Sequence, residues 1–218
     1  NLSTAAVGTY TITPSALTLS SGSLSNYSIS YATGTLTVNR AGLTITALPQ
    51  TKIYGSTLST TGTLGTNFSV TGLQGSDAVS GVTLIFSGSP AGNLATAPVG
   101  TYTITPSAVS LASGSLSNYS TTYTSGTLTI NKATLTYTAA NQTVSYGTPV
   151  ATVAAAGTST ITGFVNGEST NLISGSITYN TNYTSISSPC VSGLTITPVL
   201  TGLSAQNYLF TAVSGNIN

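Results

Sequence analysis

Five side chains in this 218-residue chain carry a formal charge: Arg40, Lys52, Asp77, Lys132 and Glu168. There is no histidine, so proton transfer would fall first to the two carboxylates. General acid–base work by a carboxylate pair needs both groups within reach of one reacting centre. Asp77 and Glu168 stand 91 residues apart and fall at equivalent places in a repeated pattern, one acid per repeat. They meet only if repeats fold back on each other, so each is expected to be a loop residue bonding backbone N–H groups. Calcium needs several carboxylate and carbonyl oxygens converging on one point, and one acid per repeat falls short of that. Cys190 is the single cysteine, follows Pro189 and lacks a base partner, so it reads as a small loop or core residue. No catalytic residue, metal ligand, cofactor or cofactor-binding residue is assigned, and the chain is not expected to be an enzyme.

Two lysines raise a different chemistry. Lys52 or Lys132 could supply the amine of an intramolecular isopeptide crosslink to Asn or Asp, which would lower the intact mass by ~17–18 Da. Against this, Val144 replaces Lys52 at the equivalent place of the later repeat. Asn-x-Ser/Thr sequons occur at Asn1, Asn26, Asn67, Asn118, Asn141 and Asn182. Ser and Thr make up 77 of the 218 residues, so several sequons arise by chance. Asn26 and Asn118 read as turn residues ahead of a strand. Thr101, Thr103 and Thr105, with Thr127 and Thr129, would line one sheet face; such rows can order water, but Thr is first a strand former that tolerates solvent. Tyr27, Tyr31, Tyr119 and Tyr123 could stack on sugars, which makes surface glycans a candidate partner. Their period-two spacing with Ile29 favours packing within or between sheets.

The elements that position these residues come from a repeat. Asn1–Ala41 and Asn93–Ala133 align at a fixed spacing of 92 residues with 30 of 41 positions identical. Periodicity of that kind defines the folding unit before any site is considered. A third, diverged copy follows: Gln142–Gly147 matches Gln50–Gly55, Gly163–Glu168 matches Gly72–Asp77, and Asn207-Tyr208 matches Asn118-Tyr119. The expected domains are 1–41, the C-terminal half of a first β module; 42–133, a complete module; and 134–218, a diverged third module. The chain opens in mid-repeat, as a fragment of a longer protein or a processed product would.

Within a repeat, apolar and polar residues alternate. Tyr10 and Ile12, then Leu43 and Ile45, then Val82, Leu84 and Phe86 read as half-buried strands. Pro14 should end its strand, because it cannot donate to a ladder. Tyr27–Tyr31 and Leu36–Val38, linked through Thr33-Gly34, read as a hairpin. No segment shows a convincing helical period. The fold class is therefore all-β: tandem Ig-like β-sandwich modules, which short junctions such as Asn39-Arg40 would set into an elongated rod.

Composition narrows the partners. A net charge of +1 gives no basic field for nucleic acid or an anionic bilayer, and no apolar run approaches a membrane span. A nearly uncharged surface provides little colloidal repulsion, which favours association with neighbouring modules or identical subunits.

The order LTxT, QTxxYG, GLxGxD, VGTYTIT and NYxxxYxxGTLTxN resembles the MBG domain of the YGX type. Its carriers here are Tyr54-Gly55 and Tyr146-Gly147, Asp77 and Glu168, Val99–Thr105, and Asn118-Tyr119. The third copy departs from it, with Gly193-Leu194 in place of Gly-Thr-Tyr. The resemblance implies arrays in large exported bacterial surface proteins, often adhesin-like, without catalysis in the module, and it supplies no residue-level binding site. The expected role is thus a stalk or spacer, extracellular or at the cell surface. The alternative is a subunit of a self-assembling filament or sheath, formed by strand exchange between neighbours.

Overall fold

The computed structural model describes residues 5–185 and 192–218, so Asn1 and Cys190 lie outside the described residues. The leading residues form strands β1 (Gly8–Ile12) and β2 (Gly34–Val38). The middle repeat contributes β3 (Ala41–Ala47), β4 (Gln50–Ile53), β5 (Phe68–Thr71), β6 (Ala78–Phe86), β7 (Gly100–Ser113), β8 (Tyr119–Thr124) and β9 (Gly126–Asn131). The last repeat contributes β10 (Ala133–Ala139), the helix α1 (Val150–Ala155), β11 (Ser159–Thr162), β12 (Thr178–Thr181), β13 (Thr195–Val199), β14 (Tyr208–Val213) and β15 (Gly215–Asn216). The fold is all-β with one short helix among the described residues, and no helix is long and apolar enough to cross a membrane.

Alternation sets the strand faces. In β3, Leu43, Ile45 and Ala47 are buried while Thr44 and Thr46 are only partly so. In β6, Val82, Leu84 and Phe86 point inward. The sheets run β1-β2, β5-β3-β8, β4-β9-β7-β6, β11-β10-β14 and β12-β13-β15. The repeat is visible in the pairing: β3 lies parallel to β8 with Ala41 opposite Tyr119, and β10 lies parallel to β14 with Ala133 opposite Tyr208.

The chain forms two compact units. The first comprises Asn1–Leu48, Thr61–Leu84 and Thr105–Ser125; the second comprises Pro49–Thr60, Ile85–Ile104 and Gly126–Asn218. The repeat at 42–133 therefore contributes residues to both. Leu43, Ile45, Phe68, Leu84 and Tyr119 are buried in the first unit. In the second, Leu128, Ile130 and Leu135 are buried, and Ala139, Val153, Tyr183, Ile196 and Ile217 form one apolar cluster.

Four local expectations are corrected. The hairpin expected of Tyr27–Tyr31 and Leu36–Val38 is absent, since β2 pairs with β1, and their counterparts β8 and β9 do not pair with each other either: β8 pairs with β3, whereas β9 pairs with β7 and β4. Only Ser125 separates them, too little for a two-residue hairpin turn, so the chain arches from one sheet into another. Second, β1 stops at Ile12, short of Pro14, but the counterpart Pro106 lies inside β7, which runs to Ser113, so a proline at this position does not by itself end the strand. The register of β7 with β9 stops at Ile104, so no N–H to β9 is required at the proline.

Third, β1 is not half-buried, since Tyr10 and Ile12 are exposed, and Tyr27–Tyr31 forms no strand although the same positions in the middle repeat form β8. A strand is stabilised by the neighbours it pairs with, and here β1 and β2 pair only with each other. Fourth, α1 was not expected. Six residues are too few to show a 3.6-residue period, but Pro149 opens the segment and alanines fill it, and both suit a helix. Val153 anchors it in the apolar cluster.

Candidate functional site

The residues that carry chemistry gather where a Tyr-Gly turn meets an acidic loop. In the second unit β4 ends at Ile53 and the chain turns through Tyr54 and Gly55, the latter at φ +91°. The loop Gly163–Glu168 turns through Asn166 and Gly167, both in the left-handed region, and closes with a hydrogen bond from Glu168 N to Val165 O. Tyr54 Oη donates to Glu168 Oε1 at 2.5 Å, and Tyr208 Oη donates to Glu168 Oε2. Val165 N in turn donates to Tyr208 Oη at 3.2 Å. The Tyr208 ring meets Tyr54 edge-on at 5.7 Å and 87°, and Phe164 at 5.7 Å and 73°. Such edge-to-face pairs add to simple burial.

The backbone around this cluster is tied as well. Asn166 Nδ2 and Gly55 N both donate to Ala95 O, and Val99 N donates to Asn207 Oδ1 at 3.1 Å. A Cβ on Gly55 would stand 2.6 Å from Val165 Cβ, so only glycine allows the turn this close. Burial first, then the hydrogen bond to Glu168, pushes the Tyr208 phenol up to about 12. The same two causes, in the same order, raise Tyr54. Both phenols therefore keep their protons and act as donors.

The first unit holds a shorter version. Tyr119 Oη donates to Asp77 Oδ2 at 2.6 Å, and Gln74 N donates to Tyr119 Oη at 2.9 Å. The hydrogen bond to Asp77, then desolvation, raises the Tyr119 phenol. Val7 N donates to Asn118 Oδ1 at 3.1 Å, as Val99 does to Asn207. A cleft of about 460 Å³ opens beside Asp77, Tyr119, Val7 and Val38.

The second Tyr-Gly turn has the same build. Ser56 N and Oγ both donate to Ile53 O, and Thr148 N and Oγ1 both donate to Ser145 O. Gly147 lies at φ +82°. Yet Tyr54 is 4% exposed and Tyr146 is 66% exposed. The turn is thus formed by its own sequence, and burial of its tyrosine is a separate event.

Asp77 belongs to the first unit and Glu168 to the second. The expectation that they bond backbone N–H groups gives way to one in which tyrosine hydroxyls are the donors. Sequence reasoning missed Tyr54 and Tyr208 as partners of the acid. The available signal was that QTxxYG, the acidic loop and Asn-Tyr recur in the same order.

Lys52 is buried, with its Nζ on the carbonyl oxygens of Ser56 and Leu94, and desolvation lowers its pKa. Lys132 Nζ donates to Ala205 O at 2.8 Å. Among the described residues the hydrogen-bond partners of both amines are thus backbone carbonyls, not the side-chain carboxyl or amide an isopeptide bond would join. Asn67, Asn118, Asn141 and Asn182 each accept a backbone N–H at their side-chain oxygen. They act as backbone acceptors; for Asn118 this goes beyond the turn residue expected. Thr101, Thr103 and Thr105 face solvent along β7. Tyr119 is buried, while Tyr27, Tyr31 and Tyr123 are exposed, so the four do not share one environment. The hydroxyls of Tyr31 and Tyr123 accept from Leu17 N and Val109 N, each at 3.2 Å. A cleft of about 980 Å³ in the second unit lies between α1 and Tyr137, Tyr179 and Ile173. Tyr179 Oη there donates to Ser159 Oγ.

These features define a class: an all-β repeat chain in which one acid per repeat accepts from the hydroxyl of its Asn-Tyr tyrosine, joined at Glu168 by the hydroxyl of a Tyr-Gly turn. The family model of the MBG domain (YGX type) matches residues 43–129, so over that stretch the chain is similar to that domain. No curated protein and no solved structure gives a significant match.

Proposed function

We propose that this chain is a structural repeat segment of an exported bacterial surface protein, acting as a stalk or spacer outside the cell and doing no chemistry of its own. The observation that carries this reading is the Tyr54–Glu168–Tyr208 cluster. It joins the leading turn of one repeat to the acidic loop and the Asn-Tyr strand of the next, and so uses the acid for cohesion. The finer architecture belongs to the same proposal: Ig-like β-sandwich modules arranged as an elongated rod. Alternating inward residues on β3, β7 and β9 support the sandwich.

Two measurements test it. Antibody raised against the chain should label intact cells of the source organism, and loss of labelling on those cells with strong labelling of lysates would overturn the location. Electron microscopy of the purified chain should give isolated particles. A second reading, a subunit of a self-assembling filament or sheath, is favoured by the exposed apolar side chains of β1 and β2. Ordered polymers at moderate concentration would favour it over the stalk.

A further inference from the structure

Residues 5–41 and 97–133 have nearly the same sequence and very different surroundings. Ile104, Tyr119 and Leu128 are 0%, 3% and 0% exposed; their counterparts Ile12, Tyr27 and Leu36 are 51%, 66% and 39% exposed. The side chains are identical, so the difference lies in what packs on them. In the later copy the covering comes from the leading half of its own repeat: β3 lies parallel to β8, β4 lies parallel to β9, and β6 borders β7. In the earlier copy β1 and β2 make a sheet of their own, and Leu17, Leu19, Tyr27 and Ile29 border an apolar groove of about 310 Å³.

A polar observation points the same way. Glu168 is gripped by two phenols, one from its own Asn-Tyr strand and one from the preceding Tyr-Gly turn. Asp77 receives Tyr119, the counterpart of the first. The cleft beside Asp77 is bordered by Val7 and Val38 of residues 5–41. By the chain's own repeat, it corresponds to the seat that Tyr54 and Gly55 fill at Val165 and Glu168. Apolar face and polar cleft both belong to the first unit.

We propose that residues 5–41 and the Gln74–Asp77 loop form one acceptor site whose occupant is the leading half of another YGX-type repeat, a segment like residues 42–92. Its first strand lies parallel on Tyr27–Tyr31, which becomes a strand as Tyr119–Tyr123 already is. Its second strand pairs in parallel with Leu36–Val38. Its Tyr-Gly turn enters the cleft and its phenol donates to Asp77. Added strands supply main-chain hydrogen bonds, and alternate side chains supply selectivity. The proposal rests on the array reading only in taking a repeat as the source of the occupant.

The test places residues 42–92 directly before Asn1, which reproduces the spacing of the repeat because Asn93 follows Gly92 as Asn1 would. Nitration by tetranitromethane, read by mass spectrometry, should mark Tyr27 in the original chain and slow about ten-fold or more in the extended one, as expected for a phenol that reacts only on local opening. Tyr146 serves as the unchanged internal standard. An extension in which the residues copied from Leu43 and Ile45 are both Asp should leave Tyr27 reactive. Equal reactivity of Tyr27 with and without the intact extension would overturn the proposal, as would equal protection by the Asp-bearing extension. Protection of Tyr27 in the unextended chain that appears only at high concentration would also overturn it, in favour of a second copy as occupant. None of these outcomes alters the cell-labelling result, so the acceptor site and the surface stalk fail separately.

Discussion

Tyr54 and Tyr146 are the same residue in the same turn, one closed over a carboxylate and one open to water. Removing a single hydroxyl from each isolates the contribution of the closure. Tyr54→Phe deletes a charge-assisted hydrogen bond in a buried setting, and should cost the second unit about 1.5–3 kcal/mol in urea unfolding. Tyr146→Phe should change stability by less than about 0.5 kcal/mol, as for most exposed positions. Equal effects of the two would mean that the Glu168 contact adds nothing to stability. The glycines beside them make a second pair. Alanine at either must hold a left-handed conformation, at about 1–2 kcal/mol. Gly55→Ala adds a clash with Val165, whereas a Cβ on Gly147 meets nothing within 4 Å. Gly55→Ala should therefore be the more harmful by at least about 1 kcal/mol, a typical cost of overpacking. Thermal melting of the two variants would measure it.

At the scale of elements, what alternation can specify was legible and what neighbours decide was not. β3 and β6 follow from their own residues, because apolar side chains at a period of two, Leu43 and Ile45 or Val82, Leu84 and Phe86, need no other information. That logic predicts that Ile104→Asp, which buries a carboxylate on β7 without a partner, destabilises by about 3 kcal/mol or more, while Thr103→Asp next to it stays within about 0.5 kcal/mol. Circular dichroism melts of the pair would expose a wrong face assignment if both were equally harmful.

The arch at Ser125 was illegible because two adjacent strands look alike in sequence whether they pair with each other or with more distant partners. The Tyr-Ser-Ile-Ser-Tyr stretch at 27–31 was misread for a related reason. It has strand composition, but its counterpart β8 is a strand only where β3 pairs with it. Likewise Tyr54 and Glu168 are 114 residues apart, and no local pattern couples them. Only the repeated order of Tyr-Gly, acid and Asn-Tyr hinted that they act together.

For the whole molecule, low charge has a thermodynamic consequence. Four of the five charged side chains are held by neutral partners: Asp77 and Glu168 by phenols, Lys52 and Lys132 by backbone carbonyls. Added salt acts mainly on interactions between charges, and at 0.1 M it screens them beyond about 10 Å. Raising NaCl from low to moderate concentration should therefore move the melting temperature very little. Alkaline pH should act strongly instead, and the sign follows from proton linkage. Tyr208 loses its proton near its ordinary 10.0 in the unfolded chain and at about 12 in the folded one. Its contribution is fully present below pH 10; between the unfolded and folded values the unfolded state binds fewer protons, so stability falls as pH rises and levels off above the folded pKa. Tyr54 is shifted in the same direction. Lys52 works the other way: burial lowers its pKa below 10.5, so its penalty is relieved as pH climbs towards that value. The two effects separate by mutation, because Tyr208→Phe removes one phenol and leaves Lys52 in place. The variant should be less stable at neutral pH, but its stability should decline less steeply than that of the original chain between pH 10 and 12. Parallel declines, measured by urea unfolding across that range, would show that the Tyr208 phenol is not held in its protonated form by the fold.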